Sequence, residues 1–493
     1  MADLKGRSVR GGAITVFSQS FRFVIQTGST VVLARLLTPA DFGLIAMVTA
    51  ITNFATMFKE LGLSAATVQK AEINHDQIST LFWINVGFGV LIAAAVVGLA
   101  PAVAWFYDDP RLTPLTMALG APFIFGGLAV QHHAMLQRHM RFFAIGVVEV
   151  ISMAVGVAAA VVAGVLGAGY WSLVIMQVAM AAAAAVGRWI AFPWLPGRPR
   201  RGVGTREMLR FGGNITGFNI VNYFSRNADN VLIGKFLGTT ALGFYSKAYT
   251  LLMLPISQIR EPLERVAMPA LSRIQGDPKK YLAYYKKLVS LLAFISMPLA
   301  VLLAIFSTPV IRLLLGEQWL DASNIFKVLA ITAFIQPVAS TRGLVLISLG
   351  QSQRYFKWGL FNALLVVFSF TVGIRWGAIG VAAAYGIANY AILFPSLWYC
   401  FKMSPISIGD FVQALIRPII ATLAMGLVVF FVYRSVASSS AVLTLGLGLA
   451  VGFFVYFLAW ALMPGGLSFL REIYSYCRLL FQKQTQANSA EFT

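Results

Sequence analysis

In the first long apolar segment, Gln19, Arg22, Gln26 and Ser29 recur at steps of three, four and three, which puts them on one face of a helix. Two hundred residues later Asn219, Asn222, Arg226 and Asp229 repeat that spacing in the same register, and Lys247 follows in the next segment. An arginine fork suits two-point contact with phosphate or carboxylate. The set carries Arg22, Arg226 and Lys247 against Asp229 alone, so a cavity lined by it prefers an anionic substrate. Exporters of cationic drugs call for the reverse. A second reading stays open: Arg226 and Asp229 sit at i, i+3 and can pair with each other, while Gln19 or Asn219 can bond between helices.

The elements that hold these groups must lie in a membrane. Of 493 residues, 58% are hydrophobic and 11% charged, with mean hydropathy +0.77. A soluble domain carries roughly 25% charged residues, which excludes a soluble enzyme, a disordered regulator and a secreted disulfide scaffold. A spanning helix needs ~20 apolar residues, so the chain has room for about fourteen. Hydropathy and Gly/Pro breaks place helices at 11–36, 40–61, 79–106, 112–136, 142–165, 168–192, 208–237, 240–268, 287–315, 321–349, 355–374, 377–400, 411–434 and 440–463. An amphipathic tail around 467–482 is expected on the membrane surface. The N-terminus, MADLKGRSVR, lacks the shape of a cleavable signal.

Charge gives the sidedness. The net charge of +20 reads as the excess of Lys and Arg that membrane proteins keep on the cytoplasmic side, not as a nucleic-acid footprint. With the N-terminus inside and strict alternation, segments predicted inside hold 24 cations and those outside hold six. The outer segments also carry Asp41, Asp108, Asp109, Glu317 and Asp321. This bias predicts an even number of spans with both termini cytoplasmic.

A shift of 200 residues overlays the first helix pair on the seventh and eighth: Gly12 on Gly212, Val31 on Val231, Arg35 on Lys235, Leu37 on Leu237, Gly43 on Gly243. Later segments follow, with Arg141-Phe142-Phe143 resembling Arg354-Tyr355-Phe356. Parallel repeats of this kind place a substrate site between two halves. The expected domains are 1–200 with a basic linker, 201–405, a helix pair in 406–465 and a cytoplasmic tail, 466–493. An arginine near the bilayer centre costs about 2.5–3.5 kcal/mol, so two polar stripes in register point to a shared hydrated cavity. Arg260 and Arg342, near cytoplasmic ends, snorkel or line an inner vestibule. The Arg-Pro-Arg-Arg linker is expected against anionic headgroups.

Other chemistry is weakly represented. Gly234-Lys235 fails as a P-loop because Asp229 stands where that motif needs glycine. Asp108-Asp109 reads as a solvated turn, and His132, His133 and His139 lack a third ligand at zinc spacing. Cys400 and Cys477 form no framework. No metal, organic cofactor or nucleic-acid partner is expected. No loop exceeds about twenty residues, which leaves little room for the catalytic domain of a glycosyltransferase or polymerase.

The stretches Leu36-Leu37-Thr38-Pro39-Ala40-Asp41-Phe42-Gly43, Asp229 to Gly238, Leu242-Gly243-Phe244-Tyr245, Gln137 to Phe142 and Gly169-Tyr170-Trp171-Ser172-Leu173-Val174 resemble the polysaccharide transporter family. Its members include Wzx/WzxC-type lipid-linked oligosaccharide flippases of the multidrug/oligosaccharidyl-lipid/polysaccharide (MOP) superfamily. The resemblance implies an all-α polytopic fold of two six-helix lobes around a central cavity, plus two C-terminal helices. It also implies a bacterial inner-membrane flippase for an undecaprenyl-pyrophosphate-linked oligosaccharide in exopolysaccharide or lipopolysaccharide synthesis. Polymerase and chain-length proteins are implied partners, and a proton or sodium gradient a possible drive. On that basis Arg22 and Arg226 are expected at the pyrophosphate, Gln19, Gln26, Asn219 and Asn222 at sugar hydroxyls, and Asp229 or Lys247 in the reset step. A cation-coupled multidrug exporter and a lipid II flippase are the alternatives.

Overall fold

A computed structural model describes residues 2–56, 67–68, 73–200, 205–436 and 440–475, with side chains from residues 18 and 227 onward in the helices that begin at Ala2 and Thr205. Every regular element among the described residues is a helix. Lipid demands this, because backbone N–H and C=O groups find no water in the hydrocarbon and must be satisfied within the segment.

The sequence opens with α1 (Ala2–Leu36) and α2 (Pro39–Thr56), followed by α3 (His75–Tyr107), α4 (Leu112–Ala118), α5 (Ala121–Arg138), α6 (Phe142–Val165) and α7 (Trp171–Ala191). Next come α8 (Thr205–Arg273), α9 (Pro278–Ile305), α10 (Ser307–Leu314), α11 (Ala322–Ala333) and α12 (Gln336–Ser348). The chain ends with α13 (Ser352–Gly373), α14 (Gly377–Phe401), α15 (Ile408–Val436) and α16 (Ala441–Leu462). Among the described residues eight helical runs are long and apolar enough to cross a membrane, or nine if α11 and α12, bent by 44°, form one span.

Local chemistry explains where helices start. Asn74 opens α3 with a reciprocal capping box: its side chain accepts from the Gln77 amide at 2.8 Å, and Gln77 reaches back to the Asn74 amide. Thr38 and Asp41 make a similar exchange at the turn into α2, ahead of Pro39 in the first helical turn.

The observed lengths revise several expected boundaries. α6 matches 142–165. The expected 208–237 and 240–268 form one run broken only at Gly238, whose φ of 84° is open to glycine and strained for other residues. The expected 112–136 is two pieces parted at Leu119–Gly120, and 287–315 begins earlier, at Pro278, with a break at Phe306. Hydropathy finds the lipid boundary, whereas helices such as α9 run on into water on a capped polar turn.

The chain divides into two compact units. The first comprises Met1–Lys247, Leu314–Trp319 and Leu360–Val381. The second comprises Ala248–Leu313, Leu320–Gly359 and Ala382–Thr493. In the second, α9 is the central post: Tyr281 and Tyr285 share hydrogen bonds with Ser348 (2.7 Å) and Thr341 (2.9 Å), so their phenols are buried but satisfied. Tyr456 on α16 donates to the Phe294 carbonyl at 2.7 Å and ties the C-terminal helix pair to the same post.

Candidate functional site

The first unit holds every candidate substrate group whose side chain is described. On α1, Gln19 and Gln26 are exposed and Arg22 half-exposed, as the helical stripe requires. Ser29 turns back, donating to the Gln26 carbonyl at 2.9 Å. Arg22 Nη1 donates to Glu149 Oε2 on α6 at 2.8 Å, with the two side chains 44% and 31% exposed. The close approach of the helices has a local cause one turn away. A Cβ on Gly146 would lie 2.2 Å from Ser18 Oγ and 3.1 Å from Ser18 Cβ, so a larger residue there would displace the Ser18 side chain.

Glu149 corrects the expectation that Asp229 alone opposes the buried cations. The sequence signal was present, a single acid inside the apolar run Val147-Val148-Glu149-Val150-Ile151, and an ionisable residue in a span is a functional candidate by default.

Asp229 is buried and fixed, accepting from the Tyr245 hydroxyl at 2.9 Å and from the Asn230 amide at 2.8 Å. Among the described side chains, the one that bonds it is Tyr245, sixteen residues on. Lys247 rests 3.9 Å over the Phe42 ring, a cation–π contact. Phe42 and Phe244 both meet Trp319 edge-on, at 5.4 and 5.9 Å. Trp319 Nε1 and Gln318 Nε2 donate to the Ala34 carbonyl at 2.8 and 2.6 Å, and Gln318 also to that of Leu37 at 3.2 Å, closing the free end of α1. The side chains of Asn219, Asn222 and Arg226 lie outside the described residues.

Residues expected on one side of the membrane gather at one end of this unit. Lys235 Nζ meets Asp108 Oδ2 at 2.7 Å, and Arg111 grips Asp109 with two bonds of 3.0 and 2.7 Å. The Arg111 bond holds the Asp109 carboxyl below the usual carboxylate range, against a smaller opposing effect of burial. At the opposite end of α3 the 194–200 linker lies along its first turns. Trp194 Nε1 donates to His75, the Gly197 amide to Ser79 Oγ and the Arg200 amide to Thr80 Oγ1. Arg200 also pairs with Asp76 at 2.7 Å, so this part of the linker is bound to protein, while Arg198 stays exposed. His132 bonds the Trp194 carbonyl and stacks on Trp189, and His133 meets Gln137.

In the second unit Arg342 donates to Ser396 Oγ at 2.6 Å, and Glu264 accepts from Ser340 Oγ at 2.8 Å with Arg260 at 3.8 Å.

These features define a polytopic helical membrane protein with half-exposed charges inside a span. Its fold is that of known lipid and drug transporters. The lipid II flippase MurJ in its inward-closed conformation aligns with a TM-score of 0.72 at 15% identity, over 94% of this chain and 100% of that one. An inward-facing multidrug resistance MATE family transporter of the MOP superfamily aligns at 0.60, with 12% identity over 79% and 95%. Residues 32–324 match the family described as polysaccharide biosynthesis protein, and the chain belongs to it. Relatives include the teichuronic acid biosynthesis protein TuaB of Bacillus subtilis (strain 168), 27% identical over 92% of this chain and 95% of the relative. The lipopolysaccharide biosynthesis protein WzxC of Escherichia coli (strain K12) is 27% identical over 72% and 73%. The succinoglycan biosynthesis transport protein ExoT of Rhizobium meliloti (strain 1021) is 25% identical over 97% of each chain. The sequence resemblance to the polysaccharide transporter family is thereby borne out, and the chain is a multi-pass membrane protein of a transporter family.

Proposed function

We propose that this protein flips an undecaprenyl-pyrophosphate-linked oligosaccharide across the bacterial inner membrane, from the cytoplasmic to the outer leaflet, for polysaccharide synthesis. The observation that carries the reading is Arg22, a guanidinium half-exposed on α1, paired with Glu149 inside the apolar helix Phe142–Val165 and presented beside exposed Gln19 and Gln26. A permanent charge at that depth is tolerated beside water or an anion and is expensive in lipid.

In this reading Arg22 and Arg226 hold the pyrophosphate, Gln19, Gln26, Asn219 and Asn222 bond sugar hydroxyls, and the prenyl tail stays in lipid. Residues 1–200 and 201–405 act as lobes that alternate between inward- and outward-open states, with the helix pair of 406–465 alongside and both termini cytoplasmic. Asp229 or Lys247 binds or releases a cation as the empty protein resets. Polymerase and chain-length proteins take the product.

The test is reconstitution in liposomes with several lipid-linked oligosaccharides, with and without a proton or sodium gradient, in wild type, Arg22→Ala and Arg226→Ala. Flipping by wild type and its loss in the variants, with the protein still folded, is the expected result. Undiminished flipping in both variants overturns the assignment. Glu149, an accessible acid inside a span, favours a cation exporter on the same fold. Transport of a cationic dye that depends on Glu149 and ignores Arg22 would select that second reading.

A further inference from the structure

Glu149 is the acid that the scheme above leaves unused. Helical rise puts Arg22 about 21 Å from the Leu36 end of α1 and Glu149 about 24 Å from the Val165 end of α6, so the two side chains meet at a similar level of their helices. Ser18 and Gly146 meet one turn away, where a Cβ on Gly146 would lie 2.2 Å from Ser18 Oγ and 3.1 Å from its Cβ. Both charged side chains are nevertheless open at 44% and 31% exposure, so the pair is formed on an accessible face, not sealed in a core. Among the described residues, Arg22 has one acceptor for its five N–H donors, and that acceptor is Glu149. An anion that approaches the fork therefore meets a carboxylate already in place.

We propose that Glu149 is a built-in counter-ion for the substrate site. It holds the Arg22 fork in position on the empty protein, yields it to the incoming pyrophosphate, and recaptures it as the headgroup leaves. The proposal rests on the reading of Arg22 as the anion-binding group. It solves a difficulty of that reading: a carrier must bind well enough to load and weakly enough to unload. A bare guanidinium at this depth binds pyrophosphate tightly and releases it slowly. An internal competitor lowers the affinity and speeds release. Glu149 is thus a positioning and release-setting residue that acts through Arg22. A half-exposed ion pair sets the size of the effect, about fivefold in affinity.

The experiment measures binding of farnesyl pyrophosphate to purified full-length protein in detergent, with farnesol as the neutral control, and flipping by the same variants in liposomes. Glu149→Gln is expected to bind the pyrophosphate about fivefold more tightly than wild type, to leave farnesol binding unchanged and to flip more slowly. A merely structural role for Glu149 predicts weaker binding instead, so a gain in affinity separates the two. If Glu149→Gln binds no more tightly while Arg22→Ala loses binding, the counter-ion proposal falls and the anion site stands. If Arg22→Ala binds pyrophosphate like wild type, both fall. Should Glu149→Gln not assemble in the membrane, Glu149→Asp shortens the reach and weakens the pair. It too must bind more tightly than wild type, and unchanged affinity overturns the proposal.

Discussion

Gly43 and Gly243 sit in reciprocal contact across the sequence repeat: a Cβ on Gly43 would lie 1.8 Å from the Thr239 carbonyl oxygen, and one on Gly243 would lie 1.9 Å from that of Pro39. Thr239 follows Pro39 by the same 200 positions that separate the glycines. The turn at Pro39–Gly43 thus seats its backbone on the turn at Thr239–Gly243. Small residues permit this approach, and close backbone contact is a main source of helix association in lipid.

Replacement of either glycine by alanine forces backbone apart. Gly43→Ala and Gly243→Ala are each expected to cost about 1–3 kcal/mol, with similar losses because the contacts are equivalent. Gly28, on α1, has nothing within 4 Å of its would-be Cβ, and Gly28→Ala is expected to be neutral or to stabilise by up to ~1 kcal/mol. Thermal unfolding in detergent, with polymer export as the functional readout, checks all three. Equal melting of Gly43→Ala and Gly28→Ala would contradict the packing.

The contact of Lys247 with Phe42 can be weighed separately. A double-mutant cycle with Phe42→Leu and Lys247→Met is expected to give a coupling of about 1 kcal/mol. Zero coupling would mean that Lys247 gains nothing from the ring at 3.9 Å.

Acid should unlock the Arg111 clasp. Asp109 has its carboxyl held low mainly by the Arg111 hydrogen bond. A depressed folded value means that the stabilisation is present above the ordinary carboxylate value near 3.9 and is lost as pH falls through the lower folded value. Wild type is therefore expected to melt above Asp109→Asn at pH 7, with the gap closing as pH drops below about 4. A gap that persists in acid would remove the ion pair as its cause.

Sidedness follows from two exposed loop residues. Asp108→Cys, in a protein whose Cys400 and Cys477 are replaced, is expected to react with a membrane-impermeant maleimide in cells whose outer membrane is permeable to it. Arg200→Cys should react only after the inner membrane is opened. The reverse pattern would invert the proposed orientation.

Much of this architecture was legible in residue order because lipid leaves few options. The apolar run of α6 gave its ends to the residue. Boundaries failed where the cause is not hydropathy. The break at Leu119–Gly120 lies inside an apolar stretch, and α9 gains its first turns from Asp277, whose side chain accepts from the Lys280 amide ahead of the lipid-facing part. The polar stripe of α1 was readable from spacing, but its partner was not. Glu149 lies 127 positions from Arg22, and no local pattern links them. Asp229 was readable as an intramembrane acid, while its burial against Tyr245 depends on how the helix folds back after Gly238.

The residues that close the end of α1 have a consequence for biosynthesis. Gln318 reaches Ala34 across 284 positions, so the ribosome makes the cap long after the helix it completes has entered the bilayer. Until then the carbonyls of Ala34 and Leu37 have no donor from that segment, and a fragment that stops at Lys247 never acquires one. Halves expressed separately should therefore fail alone and recover only when translated together, with the second half lending its short turn to the first.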